Sequence, residues 1–436
     1  MTYSMGKGII TVGKIEVRED VVTFGISHEG PVGEFILKDS LFVKADHPLG
    51  AVPPEILVIP LLGCLVPLSW VTNSEIVAGG VDMAFLACVP KVQGIIRRAY
   101  PGLLLQGDLR ARPVRTRGTW NPERYCLLYS GGVDSLTSFI RNRDKKPDLL
   151  MVRGTPDMRL DDSESFNRSI ERITPRLDEI GARLHILETN ALDALDYQAL
   201  QRSVKSNEIH GWWENFAHGM FLLGACAPFT YYNCVGKLMI SSSDTARLAA
   251  PWGSMPESDQ QVSWGGLEVI HDSYDYTKFE KISRVLVPFI SDRKWAGFPV
   301  KVCTGKPAVR VASGKLNCGR CGKCIRTMLM LLENGVDPGE CEFEMGRFSP
   351  HDIRIGLENG YIKIAEAPEA WGFVLDNACN IPPRLESKYK GTTALMTWMT
   401  KWNRTPEESI LRTYSKEMAP VGSRRRHLAK KILRRD

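Results

Sequence analysis

Six residues constrain this chain more than any others. Ser130, Gly131, Gly132, Val133, Asp134 and Ser135 stand between an apolar run, Tyr125–Tyr129, and a helical stretch, LTSFIRNR. Gly131 and Gly132 carry no Cβ, so the backbone there can turn sharply and come close to an anion. Successive N–H groups then face one concavity, and the start of the following helix adds partial positive charge. Ser130 and Ser135 add hydroxyl donors. Asp134 is out of place in an anion site unless a cation bridges it to the phosphates, so Mg²⁺ is expected beside it. No Gly-Lys-Ser/Thr follows, which excludes a Walker A loop.

The surrounding pattern supplies a sheet to carry that loop. Strands are expected at YCLLY (125–129), DLLMVRG (148–154), LHILETN (184–190) and KLMISSS (237–243). Helices are expected between them, within 165–182 and around 208–227, the latter ending before Pro228. Alternating strands and helices predict an α/β fold with a parallel sheet covered on both faces. In such sheets ligands lie at the carboxyl ends of the strands. Val152, Arg153 and Gly154, at the end of the second strand, are therefore expected beside a nucleotide's base and ribose.

The chain has 11 cysteines, an odd number. Cys318, Cys321 and Cys324 repeat at x2 spacing, with Gly319 and Gly322 allowing tight turns. Three thiolates so spaced wrap one tetrahedral metal. The fourth ligand is expected to be Cys303, 15 positions earlier, with Cys341 as the alternative. Four thiolates suit Zn²⁺ in a closed, structural site, and they also suit an iron–sulfur cluster. This usage fits a reducing compartment, so a cytoplasmic location is expected.

Residues 1–118 read as a β-rich N-terminal domain, with short runs at GIITVGKIEV, VVTFGIS and EFILKDSLFV and a helix near 90–100. Ile56–Ser74 is uncharged over 19 residues, but Pro60 and Pro67 make buried strands and turns the expected outcome, not a membrane span. Residues 119–340 form the central domain, 341–422 a mixed, mostly helical extension and 423–436 a basic tail. Positions 424–436 hold seven Arg or Lys and one Asp, leaving 49 basic and 49 acidic residues in the body. The neutral body carries no nucleic-acid signal. The tail is expected to be solvated, or to dock a partner through Leu428, Ile432 and Leu433.

The loop sequence SGGVDS resembles the PP-loop of ATP pyrophosphatases, whose fold is of the adenine nucleotide α-hydrolase type. Loop and cysteine knuckle together resemble the 7-cyano-7-deazaguanine synthase (QueC or ExsB) family over roughly residues 124–335. The resemblance implies ATP and Mg²⁺ at 130–135, structural Zn²⁺ at the cysteines, and adenylation of a carboxylate with release of pyrophosphate. Its acid is 7-carboxy-7-deazaguanine. Asp134, Ser135 and Lys281 are the expected catalytic residues, with Lys278 and Arg284 as further phosphate partners. His210, His218, Ser242, Trp252, His271 and Asp272 match the wider group and are candidate substrate-pocket positions. His210, Glu214 and His218 follow i, i+4, i+8 spacing, either as one wall of a pocket or as an ordinary helix face.

Three departures from the family separate this chain from the nitrile-forming enzyme: the added N-terminal residues, the longer gap before Cys318 and the C-terminal extension. They resemble longer family members in antiphage systems, where the activated acid passes to an amine on a protein partner. Transfer to an amine, protein-borne or ammonia, is therefore the leading expectation, with a homodimer as one expected assembly. The alternatives are nitrile synthesis, modification of a tRNA base and a non-catalytic nucleotide sensor.

Overall fold

The computed structural model describes residues 7–206, 209–248, 250–303, 314–360, 362, 371, 374 and 381–403. The basic tail, Cys379 and much of the C-terminal extension lie outside these residues. Ten strands form one sheet: β1 (Gly8–Arg18), β2 (Val21–Glu29), β3 (Ser40–Lys44), β4 (Ser74–Asp82), β5 (Asp108–Val114), β6 (Asn121–Leu128), β7 (Asp148–Arg153), β8 (Leu184–Thr189), β9 (Val235–Ser241) and β10 (Glu268–Asp272). Their order is β10-β9-β6-β7-β8-β3-β2-β1-β4-β5.

The first five strands of that order run parallel. Counted from β6, they follow the doubly wound order 3-2-1-4-5, which reverses direction between β6 and β9. The alternation of side chains explains why helices cover both faces. On β6, Cys126 and Leu128 enter one core, while Leu127 and, just past the strand, Tyr129 enter the other. On β7, Leu150 and Val152 join the first core, and Leu149 and Met151 the second. A strand apolar on both faces must be roofed on both.

Residues 8–118 extend this sheet and share its first core, so the boundary expected at 118 is not a break in either. β3 pairs antiparallel with β8, through Val43 with Thr189 and Lys44 with Glu188. Ile56–Ser74 departs from the expected strands and turns. It forms a short helix, Pro54–Leu57, then a buried one, Ile59–Thr72, before β4 starts. Pro60 sits in the first turn, where its missing N–H costs nothing. Gly63 faces Gly224 on the helix His218–Ala225, and a Cβ there would sit 2.8 Å from the Met220 carbonyl. The two helices can approach only because that position is bare. Among the described residues, no helix is long and apolar enough to cross a membrane.

An ion cluster ties the added strands to the central ones at the amino ends of β7 and β8. His185 Nδ1 lies 2.7 Å from Asp46, and its Nε2 lies 3.7 Å from Asp148. Burial pulls the imidazole down, but the carboxylates of Asp148 and Asp46 outweigh it and lift His185 from 6.5 to about 9. A raised histidine stabilises the fold fully below its unfolded value and loses that contribution as pH rises through the folded one. Asp46, held low, acts in the opposite window, below its ordinary 3.8. We therefore expect stability to fall by roughly 2 kcal/mol between pH 6.5 and pH 9.5, discounted because Asp46 is 38% exposed. Urea midpoints across that range should show the fall, and His185→Gln should flatten it.

Candidate functional site

The loop 129–132 leaves β6 beside the reversal point of the sheet, and the helix Val133–Arg141 starts at its end. Gly131 adopts φ +75°, and a Cβ there would lie 2.6 Å from Ile173 Cδ1. A side chain is therefore excluded on both conformational and steric grounds. The loop is braced internally. Ser130 N–H donates to Ser135 Oγ at 3.2 Å, and Ser135 Oγ donates to the Gly132 carbonyl at 3.2 Å. Gly132 N–H donates to Ser130 Oγ at 3.3 Å. Across the loop, Lys301 N–H donates to the Gly131 carbonyl at 2.8 Å. Ser135 is buried and serves this brace, whereas Ser130 is exposed.

Asp134 sits in the first turn of that helix, with its side chain 23% exposed. Its partners are two ammonium groups. Lys278 Nζ donates to both carboxylate oxygens, and Lys281 Nζ donates to Oδ1 at 2.9 Å. Lys281 also donates to the Ser242 carbonyl at 2.5 Å, and its side chain is only 1% exposed. The sequence explains the pair. Thr277 and Glu280 form a capping box that starts a helix at Lys278. Positions 278 and 281 are then i and i+3, on one face. Wide helical turns over Lys281–Leu286 continue the segment, a distortion common at functional sites.

Burial pushes the Asp134 carboxyl up, but the fields of Lys278 and Lys281 outweigh it and hold it well below the carboxylate range. Lys278 is lowered to about 8: burial is the largest cause, Asp134 opposes it, and Lys281 and Lys323 add to it. The expected Mg²⁺ was invoked to balance Asp134. Two lysines meet that need, and the three groups together carry one net positive charge beside the loop.

The other expected positions divide. Ser242 and Asp272 lie at the same sheet edge, where Ser242 N–H donates to the Asp272 carbonyl at 2.8 Å. Asp272 accepts from Asn142 Nδ2 at 3.3 Å and from Ser273 Oγ at 2.6 Å. Arg153 is occupied structurally. It bonds Glu188 at 2.7 Å, the Leu160 carbonyl at 2.9 Å and Ser163 at 2.7 Å, and it stacks on Phe166. Its neighbours are Val152, within β7, and Gly154, just after it. Gly154, at φ +103°, presses so closely on the Thr189 carbonyl that a Cβ would lie 1.8 Å from it. Arg284 bonds Glu280 at 3.2 Å.

His210, Glu214 and His218 do not share a regular helix face. His210 precedes the helix, Trp213–Ala217 is a wide turn, and the regular helix starts at His218. The i, i+4 rule fails because those turns hold more than 3.6 residues. His210 packs against Trp252, with ring centroids 5.7 Å apart, and His218 packs against Trp213 at 5.4 Å. Burial lowers the His218 pKa, and charges on Asp259, Asp157, Glu214 and Lys323 all reach it. Lys323 therefore stands within the field of both Lys278 and His218. Sequence reading passed over Lys323 and Asp259, although Lys323 lies inside the knuckle that singled out its neighbours.

The four sulfurs of Cys303, Cys318, Cys321 and Cys324 lie within 4.8 Å of one another. Measured pairs are 3.4 Å for Cys321–Cys324, 3.8 Å for Cys318–Cys324 and 4.0 Å for Cys321–Cys303. Tetrahedral zinc with bonds of about 2.3 Å requires sulfurs about 3.8 Å apart, so the set is compatible with zinc. Hydrogen bonds from Cys303, Cys321 and Cys324 hold the Cys318 thiol below its ordinary value. Cys341 is outside the cluster, and burial lifts its thiol to about 12. Gly319, at φ +67°, has the Glu344 carbonyl 2.1 Å from its would-be Cβ. Asn317, fully buried, ties the segment before Cys303 to the start of the knuckle. It accepts from Cys303 N–H at 3.1 Å and Val302 N–H at 2.8 Å, and it donates to the Val300 carbonyl at 2.5 Å. The helix Gly322–Glu333 then carries Lys323 in its first turn.

An open surface cavity of about 590 Å³, lined in part by Lys315, Phe343 and Tyr389, contains no residue of the loop. No family model, curated protein or solved structure matches this chain.

Proposed function

We propose that this chain is an ATP-dependent carbon–nitrogen ligase. It would activate a carboxylate as an adenylate, release pyrophosphate and pass the acyl group to an amine. The supporting observation is the charge at the reversal point of the sheet. A glycine-bent loop of backbone N–H groups stands beside Lys278 and Lys281, which together carry one more positive charge than Asp134 neutralises. Such a site suits a polyphosphate, and preorganised positive charge favours a leaving pyrophosphate.

In this reading Mg·ATP lies with its outer phosphates on residues 130–135. Lys278 and Lys281 meet the charge that develops as the bond between the α and β phosphates breaks. Asp134 holds both ammonium groups in place, and Ser135 holds the loop. The adenosine runs toward Val152 and Gly154. The acid lies toward Ser242, His218, Trp252 and His271. Its identity as 7-carboxy-7-deazaguanine rests on the family resemblance. The four cysteines hold zinc structurally, because a site with four thiolates has no open position for water. Mg²⁺ supplies charge neutralisation on the phosphates when it arrives with ATP.

The test is acid-dependent exchange of labelled pyrophosphate into ATP. Exchange with 7-carboxy-7-deazaguanine, absent without it, supports the reading. ADP and phosphate as the only products would overturn it.

A further inference from the structure

We propose that His271, oriented by Asp259, takes the proton that the attacking amine sheds in the transfer step. This rests on the ligase reading above and adds a residue and a role to it. His271 is the penultimate residue of β10 and Asp259 ends the short helix Pro256–Asp259. Their side chains are 1% and 2% exposed. His271 Nδ1 lies 2.8 Å from Asp259 Oδ2, and Ser254 Oγ donates to the same oxygen at 2.5 Å. An ionised carboxylate only accepts, so Nδ1 carries the proton and Nε2 carries the lone pair. That Nε2 is buried and has no hydrogen-bond partner among the described residues.

An unpaired buried nitrogen is destabilising, so its retention points to a group that meets it during function. Two further observations favour a site. His218 Nδ1 is also buried without a partner among the described residues. Its segment is pressed against the same carboxylate, since a Cβ on Gly219 would fall 2.3 Å from Asp259 Oδ1. Charges on Asp259, Asp157, Glu214 and Lys323 face His218, and the Tyr274 ring stands edge-on to His271 at 5.9 Å. The dyad is thus walled on several sides, with one nitrogen left for a ligand.

Its place in the sheet suits the second half of the reaction. β10 lies two strands from β6, about 10 Å at ordinary strand spacing. A continuous path joins the two sites. Asp272, next to His271, bonds Ser242, whose carbonyl holds Lys281, which holds Asp134. In the step, the lone pair of a neutral amine forms the C–N bond. The C–O bond to AMP breaks, and its electron pair leaves with AMP. The proton shed by the nitrogen passes to Nε2. Asp259 is a positioning residue, stabilising the imidazolium and fixing its tautomer.

The test compares two nucleophiles on the full chain supplied with ATP and 7-carboxy-7-deazaguanine. Ammonia needs a base, whereas the hydroxylamine adduct is acidic enough to lose its proton to water. The readout is the ratio of amide to hydroxamate formed at pH 7, which cancels losses in folding or acid binding. His271→Gln is expected to lower that ratio about 100-fold or more. Asp259→Asn should lower it in the same direction. An unchanged ratio, with both products falling together, would assign His271 to packing and overturn the proposal. Absence of pyrophosphate exchange in the unaltered chain would remove the ligase reading, and this proposal with it.

Discussion

Lys281→Met is expected to slow AMP formation by about 100- to 1000-fold while the protein stays folded. Lys281 is almost fully enclosed, yet its ammonium reaches Asp134 at 2.9 Å and the Ser242 carbonyl at 2.5 Å. Burying an ammonium is costly, and a chain that needed only packing there would do as well with methionine. Methionine keeps the length of the side chain and leaves Asp134 paired with Lys278. The principal structural loss is the charged bond to the Ser242 carbonyl, about 1.5–3 kcal/mol. Rate and stability therefore separate. Single-turnover AMP formation should collapse, while the urea midpoint falls by no more than that loss accounts for. A variant within a few-fold of the parent rate would place the lysine outside the chemistry. Asp134→Ala is a less clean probe. It leaves two neighbouring ammonium groups without their carboxylate, and breaking such a pair costs about 3–5 kcal/mol.

Metal removal is expected to have the larger effect on stability. Cys303, Cys318 and Cys324 are buried within the second core, beside Phe298, Val300, Ile325 and Met328. Without a metal, four thiols crowd within 4.8 Å and hold the start of the Gly322–Glu333 helix only weakly. Structural zinc contributes about 10–16 kcal/mol of apparent binding energy in small domains, as much as a typical fold's net stability. We expect one zinc per chain by elemental analysis, and a melting temperature at least about 10 °C lower after chelation or in Cys324→Ala. Because Lys323 lies in the first turn of that helix, ATP binding should weaken together with melting. A chain that lost its metal and melted unchanged would contradict this assignment.

The parts legible in the sequence were those whose determinants are local. SGGVDS carries its own turn chemistry, and the x2 cysteine spacing carries its own metal geometry. The strands β6–β9 announced themselves by short apolar runs. β10 did not, because five residues ending in His271 and Asp272 read as a site before they read as a strand. The ten-stranded sheet was not legible, since the pairing of β3 with β8 joins residues about 145 positions apart. Ile59–Thr72 misled because an apolar run without charge has no period, and its two prolines argued for strands. Asn317, Asp259 and Lys323 were missed for a shared reason. Their roles come from partners brought close by tertiary folding, and no local pattern records that. The reading of Asp134 changed for the same reason, because Lys278 and Lys281 lie 144 and 147 positions away.

If a carboxylate attacks the α-phosphorus of ATP held at residues 130–135, one of its oxygens ends in AMP. The acid is labelled with ¹⁸O in its carboxylate and incubated with the enzyme, ATP, Mg²⁺ and an amine, and the products are analysed by mass spectrometry. The expected result is one labelled oxygen in AMP and none in pyrophosphate. Label in inorganic phosphate, with ADP as the nucleotide product, would rule out attack at the α-phosphorus.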